Sequence, residues 1–215
     1  MRTLKTRIST YFVIKRLMGH SALADQLAAL IAFFLTLRKG SLRVERRLAE
    51  LIEGNRVSVV LATEEAEKKI RELDEWREVI IAADKATRAL LKEGVVPRVI
   101  VTDLDGYPSD LILLDRIGSI LVVHAHGDNI LQLIKLTPKL KNVIPTTQVL
   151  PLAWVRNYGG YTDGDRGAFL ALHFNAGEVK VLGLPEESPK RLKFRIGMAL
   201  LRYLKGIEPS RVRLS

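Results

Sequence analysis

The residues best placed to do chemistry are carboxylates, histidines and glycines gathered in three short segments. The first is Thr102-Asp103-Leu104-Asp105-Gly106. It follows the apolar run Val99–Val101, so its two carboxylates leave a strand end two residues apart and can point the same way. Gly106 permits a sharp turn and the close approach of a ligand. Paired hard oxygen donors suit Mg²⁺, which takes one or two protein carboxylates and keeps waters or phosphate oxygens. The competing reading is a solvated turn, because Asp and Gly are favoured there in any case.

The second segment is His124-Ala125-His126-Gly127-Asp128-Asn129. It resembles the H-x-H-x-D-H run of metallo-β-lactamase-like hydrolases, but Asn129 stands where that run has its last histidine ligand. Downstream only His173 remains, inside a helical stretch. A two-histidine zinc site and histidines that bond loop backbone are the readings open here. Asp128 precedes the helical run Ile130–Leu136, where it either caps the helix or turns into a cleft to share a metal.

The third segment is Asn157-Tyr158-Gly159-Gly160-Tyr161-Thr162-Asp163-Gly164-Asp165-Arg166. Three glycines in six residues are entropically costly to order, which weakens the case for a bland loop. Such glycines let backbone N–H groups face an anion, and a helix start follows, with Thr162 or Asp163 as its N-cap. The two carboxylates, Asp163 and Asp165, would repel phosphate unless Mg²⁺ intervened, and Arg166 would then meet a phosphate oxygen bidentately. The loop has no G-x-x-x-x-G-K-[ST] pattern, so a Walker-type phosphate loop is absent. The chain has no cysteine, which excludes thiol catalysis, disulfides and cysteine-ligated zinc. A carboxylate- and glycine-rich rim therefore points to Mg²⁺-assisted phosphoryl or pyrophosphoryl chemistry.

These segments need a frame to hold them. The chain has 215 residues, enough for one domain with a small extension. Short apolar runs at Val57–Leu61, Val79–Ala83, Val99–Val101, Ile120–Val123, Asn142–Ile144 and Val179–Leu182 read as buried strands. Helical stretches at Leu42–Ile52, Glu64–Leu73, Ala86–Leu91, Asp165–Phe174 and Leu192–Leu204 alternate with them. That alternation predicts an α/β fold: a mostly parallel, Rossmann-like sheet with helices on both faces. In such sheets ligands bind outside the carboxyl ends of the strands, and the polar clusters do follow strands. Asp84, Asp103 with Asp105, His124 to Asn129, and Thr146-Thr147-Gln148 each come next after an apolar run. The expected division is a basic helical N-terminal extension over 1–40 and a catalytic domain over 41–215.

The formal charge of +10 first suggests an anionic partner. It is unevenly placed: residues 1–60 carry +7, residues 61–185 carry −2 and residues 186–215 carry +5. Phosphate bound in the acidic middle would rest on metal ions or backbone N–H groups rather than on a lysine cluster. Aromatic side chains make up only 6% of the chain, too few for a stacking platform among the basic residues, which argues against a nucleic-acid interface. The most apolar run, Leu27–Leu37, is too short to span a bilayer, and Arg38-Lys39 follows it where an export signal would have a cleavage site. The expected setting is the cytoplasm, with no membrane partner, and a homodimer is compatible with the sequence.

Four blocks together, IVTDLDG at 100–106, HAHGDN at 124–129, TTQ at 146–148 and NYGGYTDGDR at 157–166, resemble the signature of archaeal 6-hydroxymethyl-7,8-dihydropterin pyrophosphokinases, in the same order and spacing. That family is related in fold to the catalytic domain of thiamine pyrophosphokinase. The resemblance implies transfer of pyrophosphate from ATP to the pterin's hydroxymethyl group, dependent on Mg²⁺, with AMP released and the product feeding folate- or methanopterin-type cofactor synthesis. By position it implies metal ligation by Asp103 and Asp105, completed by Asp128 and by Asp163 or Asp165. His126, Asp128, Asp165 and Arg166 join Asp103 and Asp105 as expected catalytic residues. Asp84, Thr146, Thr147, Gln148, Asn157, Gly159, Gly160 and Thr162 are expected to bind nucleotide or pterin. The sequence departs from the family's pattern at Leu61–Ala66, where a glycine-rich block is usual, at Ala83–Ala86, at Arg98 and at Gly183–Pro185. The alternatives are a pyrophosphokinase for another alcohol such as thiamine, and a non-catalytic nucleotide- or nucleic-acid-binding protein.

Overall fold

The computed structural model describes residues 4–19, 21–185 and 191–215, with side chains from residue 11 onward. Three helices come first: α1 (Leu4–Met18), α2 (Ala22–Thr36) and α3 (Ser41–Ile52). Strand and helix then alternate through β1 (Arg56–Val60), α4 (Glu64–Lys69), β2 (Val79–Ala83), α5 (Ala86–Lys92), β3 (Val99–Thr102), α6 (Pro108–Arg116), β4 (Ile120–His124), α7 (Ile130–Leu136) and β5 (Val143–Thr146). The chain ends with α8 (Asp163–His173), β6 (Glu178–Leu182), α9 (Leu192–Ile207) and β7 (Val212–Leu214).

The strands form one seven-stranded sheet in the order β5-β4-β3-β2-β1-β6-β7, and every pairing is parallel. The expected α/β class and parallel sheet are what the structure has. β2, β3, β4 and β5 are buried along their whole length, which is why they read as continuous apolar runs rather than alternating ones. Val59, Ile81, Val101, Val122 and Val181 face α3, α8 and α9. Val60, Ile80, Ala82, Ile100, Leu121 and Val123 face the other layer, to which α2, α4, α5, α6 and α7 contribute Ala28, Ala66, Leu90, Leu111 and Leu133. The order reverses between β1 and β6, so the crevice at their carboxyl ends is the switch point where such sheets take ligands.

Two elements are missing from the sequence reading. α6 lies in a stretch whose Tyr107-Pro108-Ser109-Asp110 start looks like a continued turn, yet Pro108 opens the helix, where its missing N–H costs nothing. Leu111 and Leu114 then fix its buried face. β7 is only three residues long and, among the described strands, pairs with β6 alone. Strands β3, β4 and β5 each run one or two residues past their expected ends, so Thr102, His124 and Thr146 are the last residues of strands. No single described helix is long and apolar enough to cross a membrane, although a bent pair, Tyr11–Met18 with α2, reaches the required length and composition together.

Close packing requires glycine at one of two positions near the sheet and not at the other. A Cβ on Gly177 would lie 2.5 Å from the Gly54 carbonyl oxygen, where the chain enters β6 beside β1. Gly206, near the end of α9, has open space around its Cα. Gly206→Ala should therefore stabilise the fold by about 0.5 kcal/mol through helix propensity, whereas Gly177→Ala should destabilise it by about 1–3 kcal/mol through overpacking. Urea unfolding curves read both signs, and equal effects would contradict this packing.

Candidate active site

Asp84, Asp103 and Asp105 present carboxylate oxygens that all lie within 4.8 Å of one another. They come from the ends of β2 and β3, which pair in register through Ala83 and Val101. The backbone is strained to gather them: Asp84 has φ +38° and Leu104 φ +68°, left-handed values that side chains other than glycine adopt at a cost. Thr102 donates its hydroxyl proton to Asp84 and accepts from the Leu104 N–H at 2.8 Å, so one threonine braces both strained residues. A Cβ on Gly106 would stand 2.6 Å from Asp84 Oδ2, which explains the glycine there. The turn is anchored further out by Arg88, which grips Asp110 at 2.6 and 2.9 Å and lies 4.0 Å over the Tyr107 ring.

Burial first, then hydrogen bonding to Asp105, pushes the Asp84 carboxyl up to about 8. Asp84 Oδ2 is buried and has no hydrogen-bond partner. A buried carboxylate oxygen without a donor, in a set of hard oxygen atoms, fits a divalent cation of the Mg²⁺ type. Asp103 is held well below the usual carboxylate range: burial raises it, but His126, Arg166 and Lys193 outweigh burial. Lys85 lies 3.2 Å from Asp105.

The second segment closes over β4. His124 is buried and held well below its ordinary value by burial first and then by the nearby Arg166, His126 and Lys193, so it is neutral. Asn129 donates to the carbonyls of Asp103 and His124 at 2.6 and 2.7 Å and accepts from the His126 N–H at 3.1 Å. Its side chain is therefore a brace. His126 Nε2 lies 3.5 Å from Asp103 Oδ2, and its Nδ1 accepts from the Asp128 N–H at 3.3 Å. Asp128 is 77% exposed on its side chain and sits beside His126 rather than among the clustered carboxylates. The histidine rings stack at 5.7 Å, and among the described residues the metal-capable group contains no histidine.

The glycine-rich segment brings α8 to the same rim. Of the two N-cap candidates the structure uses Thr162. Asp165 is fully buried and accepts from the Tyr161 and Thr162 N–H groups at 2.7 and 2.8 Å through Oδ1, leaving Oδ2 unpartnered. Burial pushes it up to about 7 against those two hydrogen bonds and Arg166. Burial and the Asp103 charge likewise push Asp163 up to about 6, against Arg166 and Lys193. Arg166 reaches Asp163 at 3.4 Å. Gly159 and Gly160 both have positive φ. The Gly159 N–H is taken up by Asn157 at 3.1 Å, and a Cβ on Gly160 would strike the Arg166 backbone at 2.7 Å. These two glycines thus shape the loop against α8.

A cavity of about 420 Å³ opens at the carboxyl ends of β1, β2 and β3. Asp84, Asp103, Asp105, Thr162, Asp163 and Asp165 line it together with Lys193, so most of the expected carboxylates converge there. The departing first loop, Leu61-Ala62-Thr63, forms its wall, and Thr63 donates to the Gly183 carbonyl at 2.7 Å. Gln148, Asn157, Gly159 and Gly160 instead line a second cavity of about 700 Å³ with Tyr11, Tyr161 and Tyr203. Thr146 and Thr147 sit with His124 and Arg166 at a small void beneath. Lys193 was not legible as a site residue, because it is one basic residue among many near the C-terminus and only α9 brings it across.

Residues 43–185 match the model of the family described as 6-hydroxymethylpterin diphosphokinase MptE-like. Three curated relatives carry the name 6-hydroxymethyl-7,8-dihydropterin pyrophosphokinase. The one from Methanothermobacter thermautotrophicus is 41% identical over 64% of this chain and 67% of its own length. That from Methanocaldococcus jannaschii is 45% identical over 64% of this chain and 61% of its own length. That from Pyrococcus furiosus is 39% identical over 80% of this chain and 74% of its own length. The matched part thus spans roughly two thirds of the first two relatives.

Asp84 titrates in the folded chain at about 8, against an ordinary 3.8. Between those values the folded form holds a proton that the unfolded chain has lost. The contribution of this group to stability is therefore full below the lower value and is lost as pH rises through the upper one. In chelator-treated protein, Asp84→Asn should melt about 2–4 °C above the native chain at pH 9, the shift of roughly 1 kcal/mol at this size. The gap should close at pH 5, and Mg²⁺ should raise the melting point of the native chain alone. Scanning calorimetry checks this, and a gap independent of pH would contradict it.

Proposed function

This chain belongs to the MptE-like family of 6-hydroxymethylpterin diphosphokinases, and from that premise we propose that it transfers pyrophosphate from ATP to the hydroxymethyl group of 6-hydroxymethyl-7,8-dihydropterin. The observation that carries the reading is the clustering of Asp84, Asp103 and Asp105 in one cavity with Arg166 close by, Lys193 on its wall and the start of α8. A helix N-terminus and two cations favour a polyphosphate there, and three carboxylates favour it with Mg²⁺. When bound, Mg²⁺ held by these aspartates supplies charge neutralisation for the transferring group.

The pterin's hydroxymethyl oxygen forms a bond to the β-phosphorus of ATP, the bond from that phosphorus to the α–β bridging oxygen breaks, and AMP leaves with that oxygen. The hydroxyl proton departs in the same exchange, and His126 and the aspartates are the bases on the rim. Arg166 and Lys193 meet phosphate oxygens, and positioning supplies much of the remaining acceleration. We place the flat acceptor in the tyrosine-lined second cavity, whose lining residues Gly159, Gly160 and Tyr161 directly precede the Thr162–Asp165 wall of the first. The product would feed folate- or methanopterin-type cofactor synthesis.

Incubation with ATP, Mg²⁺ and the pterin alcohol should release AMP, and chelation should stop it. Asp103→Asn should lower turnover by about 10²-fold or more, the scale of losing several kcal/mol of charge stabilisation. Faster turnover with thiamine than with the pterin would reassign the acceptor. ATP binding with no AMP from either alcohol would overturn the reading in favour of a nucleotide-binding protein.

A further inference from the structure

Residues ahead of the family match, which begins at position 43, reach into the site. α2 starts after Ser21, whose hydroxyl accepts from the Ala24 N–H, and it places Asp25 in its first turn. Asp25 is only 6% exposed, and both of its oxygens are engaged. One accepts from the Gly127 N–H at 2.7 Å, and the other accepts from the hydroxyl of the buried Tyr11 on α1. Contact is tight beside this bond: a Cβ on Gly127 would stand 2.6 Å from Ala24 Cβ.

Gly127 opens the short turn whose cap is His126, and Asn129 closes that turn back onto the His126 N–H. The turn is therefore a braced unit. Asn129 fixes it to β3 and β4, and Asp25 fixes its outer side to α2. The unit carries His126 to within 3.5 Å of Asp103, one of the three clustered carboxylates. A side chain 102 positions away in sequence thus holds the height of the turn over the rim.

We infer that Asp25 is a positioning residue: by tying Gly127 to Tyr11 it makes the α1–α2 pair part of the active centre and sets where His126 and Asp103 sit. This rests on the pyrophosphokinase reading only for what is positioned. The tie itself is independent of the reaction. A displacement of about 1 Å in such a site costs as much as 10²-fold in rate, so loss of the tie acts on turnover more than on nucleotide affinity.

Asp25→Ala removes both bonds. It should lower kcat for AMP release by about 10- to 100-fold while KM for ATP changes less than about threefold, and it should speed hydrogen exchange at the Gly127 amide. Asp25→Asn should restore both, because its amide oxygen accepts from Gly127 and its NH₂ donates to Tyr11. A separate pair tests the contact without touching Asp25: Gly127→Ala should lower kcat, and Ala24→Gly in the same chain should recover it. A lower melting point for Asp25→Ala, with native kcat and native exchange at Gly127, would overturn the inference and leave a purely structural carboxylate. Failure of Asp25→Asn to rescue would overturn it too. If the native chain releases no AMP, the function reading falls alone, and the exchange arm decides the positioning.

Discussion

Three carboxylates whose oxygens lie within 4.8 Å of one another, two of the residues buried, impose the constraint around which the rest of this structure is arranged. Like charges that close cannot all ionise in a low-dielectric setting without help. Help comes from every direction. Thr102 bonds Asp84, Lys85 pairs with Asp105, and His126, Arg166 and Lys193 favour the charged form of Asp103. Even so Asp84 keeps its proton to about 8, so the compensation from side chains is incomplete. A site left short of positive charge by its own residues is one that gains from a cation.

The parallel sheet is what makes such crowding geometrically available. Parallel strands end together, and the loops that leave β2, β3 and β4 therefore start from one edge. A register shift of one residue between β2 and β3 would move Asp84 away from Asp103. Positive φ at Asp84 and Leu104 shows that the register alone does not suffice: the chain must also turn sharply to bring the second carboxylate back. That strain is held by a threonine, by a glycine whose missing Cβ makes room for Asp84, and by the Arg88–Asp110 clasp at the start of α6.

Much of this was legible from residue order because both signals are local. A buried parallel strand is a short apolar run, and a strand-end loop is polar with glycine, so β2, β3 and β4 and the segments after them stand out together. What stayed hidden is what depends on distant partners. Asp165 reads, as an alternative to Asp163, as completing the metal site, and that one of its oxygens holds the Tyr161 and Thr162 N–H groups is visible only once α8 begins at Asp163. Asp128 reads the same way, yet its backbone N–H ties it to His126 and its side chain faces solvent. Asp25 lies just before the apolar run Leu27–Leu37, and nothing near it in sequence hints at Gly127.

The charge distribution gains a different meaning from the same long-range contacts. Splitting +10 into basic ends and an acidic centre argues that metal, not lysine, meets the phosphates. Folding modifies the division, because α9 carries Lys193 from the basic C-terminal segment onto the wall of the acidic cavity, where it favours the charged forms of Asp103 and Asp163. The N-terminal third contributes in the opposite sense, with a buried aspartate rather than a cation. The ends of the chain are thus parts of the site's electrostatics and geometry. On the proposed reading, Lys193 would meet the phosphates from α9 while the aspartates would hold Mg²⁺ on the other side, and a lysine at the mouth of the cleft would steer an incoming anion. Exposure suits each to that part: Lys193 is exposed, while Asp84 and Asp103 are buried.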